Sequence, residues 1–148
     1  MAEADFARLA EAAREVAGMA AEAGITACLE CHPNTATDCL EGTERLLGAV
    51  ASPALAMYWQ PNQYHSLEWN MEYLRAIAGR VRVAHVFNWR ADAKGAVSRL
   101  PLRDGIATWR RYLGELPRGI PLLLEFMPDD RPESLREEAA ALRECAAP

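Results

Sequence analysis

The sequence predicts an α/β fold of four parallel strands with helices between and outside them, and three observations carry that reading. Apolar spacing alternates between the three-to-four-residue period of a helix and short, nearly continuous apolar runs. The runs begin about 25 to 40 residues apart, room enough for a crossover helix between parallel neighbours. Each run also carries one polar residue near its end: Glu30 in ACLECH, Gln60 in AMYWQPN, His85 in RVAHVFNW and Glu125 in LLLEFM.

The chain opens on a helix whose stripe is Phe6, Leu9, Ala13, Val16 and Ala20, with Gly24 placed as a left-handed C-terminal cap. A first strand follows over 25–31. After the loop 32–37, Asp38 with Glu41 reads as a capping box, and Leu40, Leu46, Leu47 and Val50 stripe a second helix that ends before Pro53. A second strand over 54–60 is closed by Pro61, which has no N–H to give a neighbour. Ser66 caps a third helix lined by Leu67, Met71, Leu74 and Ile77 and ended by Gly79. The third strand runs over 81–89. A polar loop over 90–101 leads to a helix carrying Ile106, Trp109, Leu113 and Leu116, with Pro117 and Gly119 at its end. A fourth strand over 120–127 precedes a last helix, opened by Asp130 and Pro132 and lined by Leu135, Ala139, Leu142 and Cys145. No linker or low-complexity tract interrupts this order, so one domain over 1–148 is expected. Apolar strands of this kind need both faces covered, by helices on two sides of an open sheet or by closure into a barrel. A complete eight-stranded barrel needs about 250 residues, so this chain supplies half of one.

Composition narrows the function classes. With 51% apolar and 25% charged residues, the sequence reads as a soluble globular domain. No apolar run reaches the roughly 18 residues of a membrane span, and the N-terminus lacks the apolar region of a secretion signal, so a cytoplasmic protein is expected. Lys plus Arg number 16 against 21 Asp plus Glu, a net charge of −5. Without a polybasic face, nucleic acid is not an expected partner. The four cysteines do not form a disulfide scaffold in so long and Leu/Ala-rich a chain and are expected as buried thiols. Cys28 and Cys31 lie three apart on a strand, which points them to opposite faces and denies them a shared ion.

Ligands of parallel sheets gather at the carboxyl ends of the strands, where Glu30, Gln60, His85 and Glu125 fall in register. Alternation puts Cys28, Glu30 and His32 on one side, with Tyr58 and Gln60, Val83, His85 and Phe87, and Leu123, Glu125 and Met127 facing the same way. Two carboxylates, an imidazole and an amide oxygen make an O/N set suited to Mn²⁺, Mg²⁺, Co²⁺ or Zn²⁺. Trp89 shares the parity of His85 and is a pocket candidate, whereas Trp59 points away from Gln60, and Trp69 and Trp109 are expected under helices. Arg90, Lys94 and Arg99 read as a solvated loop. No G-x-S-x-G, Walker or G-x-G-x-x-G motif is present.

LECHPN, YWQPNQ, VAHVFNW and LLLEF, in this order and spacing, resemble strands five to eight of the sugar phosphate isomerase/epimerase superfamily, the xylose-isomerase-like TIM barrels. The resemblance covers nearly the whole chain but only the C-terminal half of that barrel. It implies a divalent metal held by Glu30, Gln60, His85 and Glu125, with Gln60 in place of the usual Asp. It further implies Glu30 and Glu125 as base and acid that move a proton next to a carbonyl of a small carbohydrate, while His32, Trp89 and Arg90 orient it. The expected activity is thus a metal-dependent sugar or sugar-phosphate isomerase or epimerase, or a truncated form of one. The alternative is a catalytically silent half-barrel that binds metal or a small polyol, or serves only in assembly. Phosphodiester cleavage, as in the related DNA-repair endonucleases, fits less well with the acidic balance. Strand count alone predicts closure into eight strands by a homodimer, because the first and fourth strands would otherwise present bare edges.

Overall fold

The computed structural model describes residues 2–147. Helix α1 (Glu3–Glu22) is followed by strand β1 (Ala27–Glu30), helix α2 (Leu40–Val50), strand β2 (Leu55–Trp59), helix α3 (Leu67–Ile77) and strand β3 (Val81–Val86). Strands β4 (Asn88–Ala91) and β5 (Val97–Leu100), helix α4 (Ile106–Glu115), strand β6 (Leu122–Leu124) and helix α5 (Leu135–Ala146) complete the order. The four parallel strands pair as β1-β2-β3-β6, all side by side in chain order, which is a barrel segment rather than a doubly wound sheet. The expected four-stranded half-barrel is therefore present.

Alternation sorts the sheet into two faces. Leu55, Met57, Trp59, Val81, Ala84 and Val86 turn toward the helices and are fully buried with Leu46, Leu74, Trp109 and Tyr112. Cys28, Tyr58 and Val83 on the other face are half-buried, and Leu123 is 46% exposed. The register slips by one residue between Met57 and Tyr58, opposite Arg82, and this slip lets Val81 face outward while Val83 and His85 face inward.

The helix boundaries follow local chemistry. Gly24 takes φ +68° after α1, and the Ile25 N–H reaches back to the Ala20 carbonyl, a Schellman closure. Ser66 Oγ accepts from the Trp69 N–H at 3.1 Å. The capping box is absent: α2 starts after Cys39 with no side-chain cap, so Asp38 and Glu41 do not exchange bonds there. Two apolar stripes also sit differently from expectation. In α1 the small residues Ala10, Ala13, Ala17 and Ala20 are buried and Val16 is 46% exposed, because close packing on α2 favours alanines. In α5 the buried line is Glu138, Ala141 and Cys145, and Leu135 is exposed. The Glu138 carboxylate turns inward to accept the Leu102 N–H at 3.0 Å, which closes the start of the short 3-10 turn Leu102–Gly105.

The largest difference lies after β3. The segment read as a continuation of that strand and a polar loop is an antiparallel hairpin, β4 with β5, joined over 92–96. Asp92 Oδ1 accepts from the N–H groups of Lys94 and Ala96, and Gly95 at φ +82° completes the turn. Among the described residues, no helix is long and apolar enough to cross a membrane.

Candidate metal and substrate site

Glu30 ends β1, His85 lies one residue before the end of β3, and Glu125 directly follows β6. Parallel register brings them to one end of the sheet. One ligand atom of each lies within 4.8 Å of the others, the only such metal-competent trio among the described residues. His85 Nδ1 is the hub: it stands 3.3 Å from Glu125 Oε2, 3.6 Å from Glu30 Oε1 and 3.0 Å from Gln60 Oε1. Gln60 is buried and is drawn into the cluster through His85.

Glu125 is the tense member. Its Oε2 is buried without a hydrogen-bond partner. Burial pushes its carboxyl above the ordinary value; the His85 imidazole opposes this and the Glu30 carboxylate adds to it. A buried carboxylate oxygen lacking a donor, beside a second carboxylate, is what a bound divalent cation would satisfy. The donor set therefore fits such an ion, with Glu30, His85 and Glu125 as ligand candidates and Gln60 Oε1 as a fourth donor atom.

Tyr58 forms the floor. Its ring lies 4.0 Å from the imidazole of His85, centroid to centroid, and it pairs in register with Glu30. Burial, with Glu125 and Glu30 nearby, raises its hydroxyl above the ordinary value, so it stays a donor. Parity with Gln60 was the signal that marks Tyr58, although sequence reasoning gave it no role. Phe126 was also missed. It takes φ +44° immediately after Glu125, packs edge-on to Phe87 and lies under the guanidinium of Arg99.

The three residues expected to orient substrate are less tightly drawn in. His32 is exposed, and its Nδ1 donates to the Pro33 carbonyl at 3.0 Å, yet its charge bears on Glu125. The Trp89 indole donates to the Gln63 carbonyl at 3.3 Å and, with His65 and Asn88, lines a cavity of about 230 Å³ beside the hairpin. Arg90 is exposed on β4. Arg99, on the facing strand, is the hairpin's cation nearest the site and pairs with Asp130 at 2.7 Å.

The cysteines stand apart from this chemistry. Cys28 lies half-buried on the inner face, whereas Cys31 is buried against Tyr73, its thiol pushed up to about 12 by burial. Tyr73 in turn donates to the Thr37 carbonyl at 2.9 Å, and Thr37 Oγ1 donates to the Glu30 carbonyl, so the loop behind Glu30 is pinned from below.

The profile of the xylose isomerase-like TIM barrel family matches residues 2–145. Among solved structures, the chain is similar to the probable 3-DHS dehydratase AsbF involved in petrobactin synthesis from Bacillus anthracis, with a TM-score of 0.70 and 21% identity over 90% of this chain and 54% of that one. It is also similar to a xylose isomerase-like TIM barrel protein from Mycobacterium smegmatis in complex with magnesium, with a TM-score of 0.71 and 20% identity over 99% of this chain and 52% of that one. The chain thus spans about half the length of both. No curated protein matches it.

Proposed function

The chain belongs to the xylose isomerase-like TIM barrel family, and from that membership we propose that it carries the divalent-metal half of a site that moves a proton next to the carbonyl of a small sugar or sugar phosphate. One observation carries the reading: Glu30, His85 and Glu125 converge within 4.8 Å at the carboxyl ends of three strands, with a buried oxygen of Glu125 lacking any donor. The magnesium in the Mycobacterium smegmatis relative supports the ion, although its ligands are that protein's own.

Glu30, His85 and Glu125 would hold the ion, with Gln60 alongside. A divalent cation there supplies charge that stabilises the oxyanion formed when a neighbouring carbon loses its proton. This chain's own groups do the rest. The two carboxylates approach from strands at opposite sides of His85, one more exposed and one more buried, so Glu30 serves as the base that takes the proton and Glu125 as the group that returns one. Tyr58 donates a hydrogen bond from the floor, and His32, Trp89 and Arg90 orient the carbohydrate at the rim. Gln60 in place of an acid lowers the negative charge and selects a more weakly held ion.

The test is a Mn²⁺ titration followed by electron paramagnetic resonance, on the intact chain and on Glu30→Gln and Glu125→Gln. Each variant is expected to weaken binding about tenfold or more. Incubation with aldoses and ketoses in D₂O, read by NMR, is expected to place deuterium on the carbon next to the carbonyl. Unchanged Mn²⁺ affinity in both variants would sink the metal site. Metal binding with no exchange in any sugar would overturn the proton-transfer reading and leave binding alone.

A further inference from the structure

We propose that the cleft between α3, α4 and the base of the β4–β5 hairpin is a second binding site, distinct from the metal cluster, and that it takes a small neutral planar ring carrying an acceptor oxygen. The cleft encloses about 230 Å³. That is less than the roughly 300 to 1,000 Å³ of sites for drug-sized molecules and suits a single ring. It lies on the helix side of the sheet, where its lining residues Trp109 and Tyr112 pack edge-on against Trp59 at centroid distances of 6.1 and 5.0 Å. None of Glu30, His85 and Glu125 lines it.

The walls are fixed by bonds of their own. Asn70 in α3 has every side-chain polar atom engaged: Nδ2 donates to the Asn62 and Ser66 carbonyls at 3.0 Å each, and Oδ1 accepts from the Asn62 N–H at 2.7 Å. The imidazole of His65 lies flat on the indole of Trp69, with 3.9 Å between centroids and 11° between planes. The Trp109 indole donates to the Phe87 carbonyl at 2.7 Å, the Trp89 indole to the Gln63 carbonyl at 3.3 Å, and Asn88 Nδ2 to the Pro101 carbonyl at 2.9 Å. His65, Trp89 and Trp109 therefore present aromatic surface held in place, against which a flat ring packs well.

One need is left over at the inner end. Tyr112 is 1% exposed and lines the cleft, yet its hydroxyl has no hydrogen-bond partner among the described residues. Behind it Trp59 is 0% exposed and holds an indole N–H with no acceptor. Two donors without acceptors, on adjacent side chains beside an open cleft, call for an oxygen carried in from outside. No lysine, arginine, aspartate or glutamate lines the cleft, so nothing there favours a charged ligand. A carbonyl on a ring of nucleobase or benzamide size supplies what is missing.

The test is NMR of the intact, ¹⁵N-labelled chain, following the indole N–H signals of its four tryptophans during titration with benzamide, uracil and toluene. Benzamide or uracil is expected to shift the Trp59, Trp89 and Trp109 signals saturably; binding of uracil alone marks a nucleobase as the ligand class, and of benzamide alone an aromatic amide. Toluene has the ring without the oxygen and is expected to bind at least about tenfold more weakly, and Tyr112→Phe is expected to weaken the oxygen-bearing probe about tenfold. Thr108→Trp fills the cleft from α4 and is expected to abolish binding while circular dichroism stays native. Absence of any shift with both oxygen-bearing probes, a cleft held by water alone, would overturn the inference. So would equal affinity for toluene, or undiminished binding in either variant. Should one variant not fold, the other and the toluene comparison decide. Neither variant alters Glu30, His85 or Glu125, so the Mn²⁺ titration and this one succeed or fail separately.

Discussion

Glu125 is aimed by its immediate neighbours. It follows a strand of three residues, and Phe126 behind it holds φ +44°, a conformation that costs a bulky residue about 1 to 3 kcal/mol. The Phe126 ring is held between Phe87 and Arg99, which keeps the bend in place. Phe126→Gly is expected to relax the backbone and free the carboxylate, with Mn²⁺ affinity falling about tenfold, measured by the same titration. A second carboxylate sets a pH dependence. Burial raises the Glu138 carboxyl while its bond from the Leu102 N–H lowers it, with a net rise. The folded chain therefore holds a proton that the unfolded chain has released, so this group favours folding below the ordinary carboxylate value and loses that contribution as pH climbs through the raised one. Glu138→Gln keeps the acceptor and is expected to flatten urea stability across that window. Glu138→Ala leaves the Leu102 N–H unpaired and is expected to cost about 1 to 3 kcal/mol.

Among the elements, helices and parallel strands were legible because their apolar periods differ, and the site was legible because each strand ends in one polar residue. Val16 and Leu135 misled because apolar spacing does not reveal which of two adjacent lines a close neighbour will choose; α1 buries its alanines and α5 its inward-turned Glu138. The hairpin was hidden by its own polarity. Both strands carry arginine, and the turn signal in Asp92 and Gly95 sits inside what reads as a solvated loop. The capping box failed because the loop before α2 is fixed from elsewhere, by Thr37 and Tyr73. That loop also leans on Gly42. A Cβ there would stand 2.3 Å from the Ala36 carbonyl oxygen, a backbone atom. Gly42→Ala is expected to cost about 1 to 3 kcal/mol in urea unfolding and, by shifting the segment behind Glu30, to weaken Mn²⁺ binding as well.

At the scale of the whole molecule, an ion held at the proposed site would be linked to the fold. A cation that binds only the folded chain raises its stability by mass action, about 2.7 kcal/mol at a hundredfold excess over the dissociation constant. Thermal unfolding with and without Mn²⁺ is expected to show a higher midpoint with the ion and no shift in a Glu30→Gln, Glu125→Gln double variant. The order of strands reports half of a barrel, and sequence spacing was enough to say so. The hairpin bears on how such a molecule changes over time. Among the described residues, β4 and β5 pair with each other and with none of the four parallel strands, and their turn is closed by the side chain of Asp92. Length and composition at its tip are thus free to drift without disturbing the parallel sheet. Insertions beside Gly95 are expected to be absorbed with little loss of folding, so the rim of the candidate site can change while Glu30, His85 and Glu125 stay where the parallel sheet holds them.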